Sequence, residues 1–499
     1  MTLATDNNRA TRAKPMLIGG EWIADGDEPI TSINPASGAV NYTVSAASAQ
    51  HVDAAVEAAH KAVGGWRDML PHKRARVLAR LADIIESRGE ELARIQMIEN
   101  GKVLSECRAQ AASAAATFRY YAAVCETLGS EVTPSRGGYL SMTVYEPYGV
   151  VAAITPWNSP LTMEAQKVAP ALAAGNAVIL KPSEITPSGG LALGEMALEA
   201  GIPPGLLNVL PGTGAVAGDA LVRHPGVKFV SFTGGTESGR RIAAIAAQKL
   251  MPVALELGGK SPHIVFADAN VEAAASAVAD GIFEGTGQSC VAGSRLFVQR
   301  PVYERVVDLV AARARSLKID LPDAAGAQLG PLSSFAHRER VERHVATARS
   351  DAGRIVVGGK RPDDQRLRSG AYYLPTVIAD LKSSATVCQQ EIFGPVLCAL
   401  AFEDEDDLVQ QANDSAYGLA AGLWTGDYQR AWRVARKLEA GTVWINTYKQ
   451  LSISTPFGGF KDSGIGREKG IGGLRLYQQP KSLYWGLDTP LAPQSGGTA

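Results

Sequence analysis

The stretch that decides the fold is "NAVILKPSEITPSGGLALGEMALEAGIPPGLLNVL", residues 176–210. It begins and ends with short runs, "NAVILK" and "LLNVL", that are apolar on both faces, as strands inside a parallel sheet are. The residues between them, 186–201, have the pattern of a helix, with Thr186 as its cap and Pro187 in its first turn. Strand, helix and strand in this order predict one crossover unit of a parallel sheet.

The same alternation of strands and helices covers two long parts of the chain. After residue 210, helices alternate with the apolar runs "VKFVSF" (227–232) and "MPVALEL" (251–257), and the alternation returns at residues 377–445. A chain of 499 residues is also too long for a single hydrophobic core. The sequence therefore predicts an α/β protein with two parallel-sheet domains.

Two segments do not fit this alternation. Residues 139–150, "YLSMTVYEPYGV", alternate like a half-exposed antiparallel strand, and residues 479–487, "QPKSLYWGL", form a second candidate strand. Neither strand has an obvious sheet of its own. We therefore expect the two to build a small β-flap that serves association between subunits.

Charge and composition argue against several classes of function. Lys and Arg number 49 against 50 for Asp and Glu, and this balance favours neither a nucleic-acid partner nor a membrane surface. The longest apolar stretches are too short, or too interrupted by Pro and Gly, to span a bilayer. The five cysteines are odd in number and include no C-x-x-C pair. We therefore expect no disulfide framework, no metal site and a cytoplasmic location.

Two glycine-rich turns follow predicted strands of the first domain, "PGTGAVAG" (211–218) and "FTGGTESG" (232–239). The first is one residue longer than the dinucleotide-binding pattern G-x-G-x-x-G, so a purely structural turn remains an alternative. In the second, Gly234 is expected to open a helix whose N–H groups and dipole suit a pyrophosphate. Each turn alone is weak evidence, but the two together predict a nucleotide site on one sheet edge.

The segment "LKPSE" (180–184) adds charged residues at that predicted edge. It ends a strand and carries Lys181 and Glu184 beyond it. A lysine and a carboxylate there suit the two hydroxyls of an adenosine ribose. A surface ion pair is the alternative interpretation.

One thiol stands in an unusual loop, "EGTGQSCVAGSR" (284–295), where glycines surround Cys290. A cysteine nucleophile needs a base and donors for an oxyanion, and no histidine occurs in a motif-like context. Glu256 in "LELGGKSP" and Asn158 in "TPWNSP" are candidates for these two tasks. Taken singly, each residue has a structural interpretation: a buried thiol, a carboxylate at a strand end and an amide in a turn.

Taken together, these segments resemble the NAD(P)-dependent aldehyde dehydrogenase superfamily over nearly the full length of the chain. The stretches that carry the resemblance, in the family's order and spacing, are "TPWNSP", "LKPSE", "FTGGTESG", "LELGGKSP", "GTGQSCVAGSR", "EIFGPV" (391–396) and "TPFGGFKDSGIGRE" (455–468). The resemblance implies oxidation of a small-molecule aldehyde to its carboxylic acid with reduction of NAD, and NADP as the weaker cofactor.

The resemblance also implies the architecture. It places a Rossmann-like NAD-binding domain at residues 1–127 and 148–257, and a catalytic domain at residues 258–462. An oligomerisation flap would comprise residues 128–147 and 478–490, in a homodimer or homotetramer. Neither nucleic acid nor membrane is expected as a partner.

Site residues carry over position by position. Cys290 would be the nucleophile, Asn158 and the Cys290 backbone N–H the oxyanion donors, and Glu256 the general base. The residues implied to bind the cofactor are Trp157, Lys181, Glu184, Thr233, Gly234, Gly235, Leu257, Glu391 and Phe393. Those implied to contact the substrate are Gln166, Ser289 and Phe457.

Some positions depart from the family pattern. Gly235 stands where many relatives have serine, which removes one hydroxyl contact to a phosphate. Ser159 and Gln166 stand where relatives often have large aromatic side chains, which indicates a wider or more polar substrate tunnel. Lys449 and Gln450 near its mouth favour a polar or semialdehyde substrate, unless both side chains point to solvent.

Two alternative functions remain open at the level of sequence. One is a non-oxidative thiol acyltransferase or esterase that uses Cys290 without a nucleotide. The other is a catalytically idle binding relative, although the joint presence of Cys290, Asn158, Glu256 and Glu391 argues against it.

Overall fold

The computed structural model describes residues 13–134, 136–351 and 353–487, so the first twelve residues of the predicted NAD-binding domain and residues 488–490 of the predicted flap lie outside it. The helices are α1 (Ala49–Arg67), α2 (Pro71–Ser87), α3 (Gly89–Asn100), α4 (Leu104–Thr127), α5 (Pro160–Ala173), α6 (Ser188–Glu199), α7 (Asp219–Arg223), α8 (Thr236–Gln248), α9 (Val271–Phe283), α10 (Tyr303–Ser316), α11 (Phe335–Ser350), α12 (Thr386–Gln389), α13 (Glu405–Asn413), α14 (Tyr428–Lys437) and α15 (Gly470–Arg475).

The strands are β1 (Met16–Ile18), β2 (Glu21–Ile23), β3 (Asp27–Ile33), β4 (Val40–Ala46), β5 (Glu131–Thr133), β6 (Tyr139–Pro147), β7 (Val150–Ile154), β8 (Ala177–Lys181), β9 (Leu207–Val209), β10 (Phe229–Thr233), β11 (Val253–Glu256), β12 (Pro262–Val265), β13 (Arg295–Gln299), β14 (Arg354–Val357), β15 (Thr376–Ala379), β16 (Val396–Phe402), β17 (Tyr417–Gly418), β18 (Ala420–Trp424), β19 (Thr442–Ile445), β20 (Phe460–Lys461), β21 (Gly464–Ile465) and β22 (Gln478–Gly486).

The first large sheet has eight strands in the order β2-β1-β9-β8-β7-β10-β11-β21. Its central strands, from β9 to β11, run parallel, and antiparallel strands flank them. From β7 the chain moves outward through β8 and β9, then returns to the other side of β7 with β10 and β11. Ligands of open α/β sheets bind where the strand order reverses in this way, beyond the carboxyl ends of the strands.

The strands of this sheet form where the sequence is apolar on both faces. Every residue of β7 and β8 is buried, because helices cover both sides of the sheet. Helix α6 begins later than predicted: Pro187 occupies its N-cap position, and the enclosed hydroxyl of Thr186 has no hydrogen-bond partner among the described residues. The prediction that Thr186 caps this helix is therefore wrong.

The second large sheet has seven strands in the order β14-β15-β16-β13-β12-β18-β19. All neighbouring pairs are parallel except β14 with β15. Separate hydrophobic clusters pack on its two faces. Together with the first sheet, it confirms the predicted fold class of two parallel-sheet α/β units.

The two strands outside the alternation do form a sheet of their own. Strand β22 pairs antiparallel with β6 along nine positions, from Gln478 opposite Pro147 to Gly486 opposite Tyr139. A third strand, β5, pairs with the other side of β6. The sequence did not reveal β5, because three exposed residues carry no apolar pattern.

None of the helices in the described parts of the chain is long and apolar enough to cross a membrane. Across the same residues, no group of three or more His, Cys, Asp or Glu side chains is arranged to hold a metal ion. The five cysteines all lie within the described residues and are unbridged.

Candidate active site

The carboxyl ends of the parallel strands bring the predicted cofactor residues to one edge of the first sheet. In the register of the sheet, Ile154 pairs with Lys181 and with Phe232, and Thr233 pairs with Glu256. The turn that carries Trp157 and Asn158 follows β7 directly. These residues therefore lie side by side where the strand order reverses.

Lys181 and Glu184 lie at this edge as predicted. The Lys181 ammonium is buried, donates to the Pro182 carbonyl at 2.9 Å and lies 3.5 Å from Glu184 Oε2, whereas the Glu184 side chain is largely exposed. Burial lowers the pKa of Lys181, and the charge of Glu184 opposes that shift. The first glycine-rich turn lies against the same lysine, since a Cβ at Gly218 would be 3.7 Å from Lys181 Cδ.

The second glycine-rich turn differs from the prediction in one respect. The backbone N–H of Gly234 donates to the Glu256 carbonyl at 3.1 Å, so it is not a free donor for phosphate. Helix α8 begins after Gly235, which is its N-cap, and the N–H groups of its first turn remain available at the edge. Nearby, the enclosed hydroxyl of Thr233 has no partner among the described residues, and Leu257 is buried against α8.

The loop before Cys290 contains consecutive left-handed residues: Gly285, Thr286 and Gly287 have φ of 66°, 56° and 71°. Gly287 is required for space as well, because a Cβ there would stand 2.1 Å from the Gly394 carbonyl oxygen. This contact joins the loop of Cys290 to the segment 391–396.

A second close approach brings the thiol loop to the end of β11. A Cβ at Gly259 would stand 2.3 Å from the Cys290 carbonyl oxygen, and Gly259 is three residues after Glu256. The predicted nucleophile and the predicted base therefore belong to one site. Asn158 also contacts the loop of Cys290, because its Nδ2 donates a hydrogen bond to the Gln288 carbonyl at 3.0 Å.

Glu391 and Phe393 complete this wall of the site. Glu391 Oε1 accepts a hydrogen bond from the Gly259 N–H at 2.8 Å, and burial raises its pKa. Phe393 has a φ of 59°, and its carbonyl accepts a hydrogen bond from His337 at 2.7 Å. Its ring meets Trp157 edge to face, with 5.3 Å between centroids. A small cleft is bordered by Glu391, Phe393 and Ser289.

Cys290 is half-buried against an apolar cluster that includes Phe457 and Tyr448. Burial raises the pKa of its thiol to about 12, and the nearby carboxyls of Glu256 and Glu391 act in the same direction. The charge of Lys469 opposes this shift. The surroundings of the thiol therefore disfavour the thiolate.

The surroundings of Glu256 likewise disfavour its charged form. It is buried, and neither carboxyl oxygen has a hydrogen-bond partner among the described residues. Burial raises its pKa well above the usual range, the charge of Glu468 adds to the shift, and Lys167 and Lys469 oppose it.

An ion pair beside Glu256 was not apparent from the sequence. Lys167 and Glu468 are both buried, with 2.6 Å between Nζ and Oε1, and the Ser231 hydroxyl donates to the same oxygen at 3.2 Å. Glu468 closes the already quoted segment 455–468, and Lys167 follows Gln166. The sequence offered only one indication of this pair: Glu468 lies inside a segment that resembles the family, and Lys167 lies next to the predicted substrate residue Gln166.

The residues predicted to contact the substrate differ in their burial. Gln166 is buried on α5, Ser289 is half-buried beside Cys290, and Phe457 is buried beside the thiol. Lys449 lies 3.7 Å from Glu284 and is mostly buried, and burial lowers its pKa. Gln450 is exposed, and its amide donates to the Tyr448 carbonyl at 3.4 Å.

The chain belongs to the aldehyde dehydrogenase family, whose model matches residues 22–483. Over 479 residues it is 43% identical to phenylacetaldehyde dehydrogenase of Pseudomonas fluorescens, with 94% of this chain and 95% of that protein covered.

Solved structures agree with this assignment. Betaine aldehyde dehydrogenase from Staphylococcus aureus, in complex with NAD+, is 38% identical with a TM-score of 0.94, covering 96% of this chain and 97% of that one. An aldehyde dehydrogenase from Bacillus cereus, also in complex with NAD+, is 38% identical with a TM-score of 0.93, covering 96% and 98%. The matches confirm the predicted family and enzyme class, and the complexes support the predicted cofactor.

Proposed function

We propose that this protein oxidises an aldehyde to its carboxylic acid with NAD, through a covalent intermediate on Cys290. The main support for this proposal is that three segments of the chain lie in contact: the end of β11, the loop of Cys290 and the turn after β7. The end of β11 brings Glu256 to the loop of Cys290 through Gly259, and Asn158 binds that loop from the turn after β7.

The residues at the sheet edge fit a dinucleotide. Lys181 and Glu184 offer a donor and an acceptor for ribose hydroxyls, and the first turn of α8 offers N–H donors for a pyrophosphate. The unpartnered hydroxyl of Thr233 adds a further polar contact. Glu391 and Phe393 would hold the nicotinamide end. The remaining proposed contacts are Trp157, Gly234, Gly235 and Leu257. When bound there, NAD supplies the hydride acceptor for the reaction.

In the first half of the reaction, the Cys290 thiol releases its proton to water, and the resulting thiolate adds to the aldehyde carbon. The carbonyl oxygen becomes an alkoxide, which Asn158 Nδ2 and the Cys290 backbone N–H stabilise. Asn158 Nδ2 donates one of its two hydrogens to the Gln288 carbonyl at 3.0 Å, so the other remains for the alkoxide. The thiohemiacetal carbon then gives up a hydride, and a thioester on Cys290 remains.

In the second half, Glu256 takes a proton from a water molecule that attacks the thioester carbon. The carbon–sulfur bond breaks, and the carboxylic acid leaves. Because burial and Glu468 disfavour the Glu256 carboxylate, that carboxylate is a strong base once it forms.

We also propose a polar aldehyde or semialdehyde as the substrate. Ser159, the N-cap of α5, and Gln166, within it, are polar residues at positions where relatives often have large aromatic side chains. The relative from Pseudomonas fluorescens makes phenylacetaldehyde a second candidate.

Two variants test the covalent route. Cys290→Ala should reduce aldehyde oxidation by more than about a hundredfold while NAD still binds, because the nucleophile is lost. Glu256→Gln should give a rapid first turnover of reduced cofactor followed by slow steady-state turnover, because water activation is lost.

Ester hydrolysis without reduction of NAD by any aldehyde would favour a non-oxidative thiol enzyme, and NAD binding without any turnover would favour an idle relative.

A further inference from the structure

Lys469 has a backbone conformation that side chains rarely adopt. Its φ of 62° and ψ of 174° fall in a region occupied almost only by glycine. Hydrogen bonds on both sides hold it there: Phe457 and Glu468 exchange backbone bonds of 2.8 Å, and the Gly473 N–H donates to the Lys469 carbonyl at 2.8 Å. Strain of this kind persists where a side chain is needed in one place.

The Lys469 side chain lies in the candidate active site. The Lys469 side chain is buried, and its Nζ lies 5.0 Å from the centre of the Phe457 ring, which packs against Cys290. The charge of Lys469 acts on both Cys290 and Glu256. Lys469 therefore places its ammonium beside the aromatic ring that packs against the nucleophile.

The Lys469 ammonium has no direct ionic contact in the described parts of the chain, although the charges of Glu468, Cys290 and Glu256 act on it from a greater distance. No ion pair or hydrogen bond of its ammonium occurs there, although the neighbouring Glu468 is paired with Lys167. Glu256 favours its neutral form. Burial lowers the pKa of Lys469, and the negative charge of Glu468 is the first to oppose that shift. A further anion beside the ammonium would favour its charged form in the same way and could accept a charge-assisted hydrogen bond from it.

We propose that Lys469 is a specificity-determining residue that binds a carboxylate carried by the aldehyde. The inference rests on the proposed oxidation at Cys290 and narrows its substrate to semialdehydes, whose oxidation gives dicarboxylates. Lys449 is the less suitable partner for that group, because Glu284 already lies 3.7 Å from its ammonium.

The first test compares matched aldehydes. The kcat/KM values of ω-oxo acids of several chain lengths are measured beside those of the unsubstituted aldehydes of equal length. Lys469→Met should lower the ratio of acid to neutral substrate about 10- to 100-fold, the range expected for one charge-assisted hydrogen bond. Lys469→Arg should retain most of the ratio, and the matched control Lys449→Met should change it less than about threefold.

The second test does not require turnover. Iodoacetate and iodoacetamide both alkylate Cys290, but only iodoacetate carries a carboxylate. The ratio of their inactivation rates should be higher in the unmodified protein than in Lys469→Met by about tenfold, and Lys469→Arg should restore it.

The outcomes separate this inference from the proposed function. One contrary outcome is that, in Lys469→Met, kcat/KM falls equally for acidic and neutral aldehydes and both alkylation rates are reduced equally. Lys469 would then act on the reactivity of the Cys290 thiol rather than on a substrate carboxylate, and the inference would be overturned. An unchanged ratio in both tests would also overturn it. Failure of the unmodified protein to oxidise any aldehyde would contradict the proposed function, whereas the alkylation ratio would still decide whether Lys469 binds a carboxylate.

Discussion

Several charged residues of the site act on the pKa of Glu256. Its pKa is raised by burial first and by Glu468 second, and Lys167 and Lys469 act against both. An acid whose pKa is raised becomes a base only at higher pH. Hydrolysis of the thioester should therefore accelerate as the pH rises through that pKa.

Glu468→Gln should move this acceleration to lower pH. The substitution removes a negative charge that disfavours the Glu256 carboxylate, so the carboxylate forms earlier as pH rises. The measurement is the rate at which an acyl-enzyme, made from an activated ester, is hydrolysed at a series of pH values.

The paired lysine must be controlled in this experiment. Glu468→Gln leaves Lys167 buried without its partner, at a cost of about 3–5 kcal/mol in the free energy of unfolding. Thermal unfolding therefore accompanies each pH series, and Glu439→Gln, at an exposed ion pair with Lys461, is the control for a surface carboxylate. A profile that stays in place or moves to higher pH would contradict the assignment.

Glu184 should set the choice of cofactor. If its exposed carboxylate accepts hydrogen bonds from the ribose hydroxyls, the 2′-phosphate of NADP loses a bond and meets a like charge, which Lys181 offsets in part. We expect NAD to be preferred about tenfold or more in kcat/KM, equivalent to about 1.4 kcal/mol. Glu184→Ser should reduce the preference mainly by improving NADP, whereas Glu199→Ser, at an exposed site, should not. Equal efficiency with both cofactors in the unmodified protein would refute this role.

At the residue scale, the sequence suggested candidates for the catalytic roles but not the buried residues that act on them. Cys290, Asn158 and Glu256 were identified because a thiol, an amide and a carboxylate each stood in a constrained local context. Lys167 and Glu468 were missed because they lie 301 positions apart and are joined only by packing. Lys469 was missed because its backbone conformation and its lack of a direct ionic contact appear only in three dimensions.

At the scale of elements, the loop before Cys290 depends on glycine for its path. Gly287 combines a φ of 71° with contact against Gly394, so it fixes the distance between the thiol loop and the segment that carries Glu391 and Phe393. Both segments must stay in contact for the nucleophile to face the proposed nicotinamide site.

Gly287→Ala should separate these two segments. Its methyl group would stand 2.1 Å from the Gly394 carbonyl oxygen, and alanine at this φ adds about 1 kcal/mol or more of backbone strain. We expect kcat/KM to fall by about a hundredfold or more, as misplacement by an ångström can cause. Steady-state kinetics and the alkylation rate of Cys290 measure the effect.

Gly472→Ala is the matched control for that substitution. Gly472 lies in α15, and nothing stands within 4 Å of its Cβ position. Alanine there should stabilise the helix by about 0.5–1 kcal/mol and leave the kinetics unchanged. Activity of Gly287→Ala equal to that of Gly472→Ala would show that the loop tolerates the displacement.

Long apolar elements were predictable, whereas short or irregular ones were not. Strands β7, β8, β10 and β16 follow the apolar runs of the sequence because both faces of each sheet are covered. The left-handed turn at 285–287 has no such pattern, and its geometry depends on the contact with the segment 391–396. Strands β3 and β4 were also not identified, since most of their residues are exposed or only half-buried.

At the scale of the whole molecule, the site lies where the chain passes between its two large sheets. Strand β11 ends at Glu256, and β12 begins six residues later at Pro262. The chain returns to the first sheet through β21, which pairs with β11 just after the proposed end of the catalytic domain at residue 462. The domain boundaries themselves remain predictions.

The flap formed by β5, β6 and β22 lacks a buried face of its own. All residues of β22 except its first are exposed, including Tyr484 at 71% and Trp485 at 69%. A three-stranded sheet needs a covered apolar face to be stable, and its edge strand offers unpaired backbone groups. We therefore propose that another subunit of this protein covers the flap, in a homodimer or homotetramer.

Replacing Tyr484 and Trp485 together with serine should dissociate that assembly. Burying either ring at an interface contributes about 3 kcal/mol, so losing both should raise the dissociation constant by more than about a hundredfold. The molar mass from light scattering during size exclusion, measured over a range of concentrations, should fall toward that of the monomer, and the Tm should fall with it.

Tyr428→Ser is the control, because Tyr428 is an aromatic residue of α14 that is 79% exposed and lies outside the flap. An unmodified protein that is already monomeric would remove the reason for a covered flap. An oligomer whose mass is unaffected by the double substitution would place the interface on a different surface.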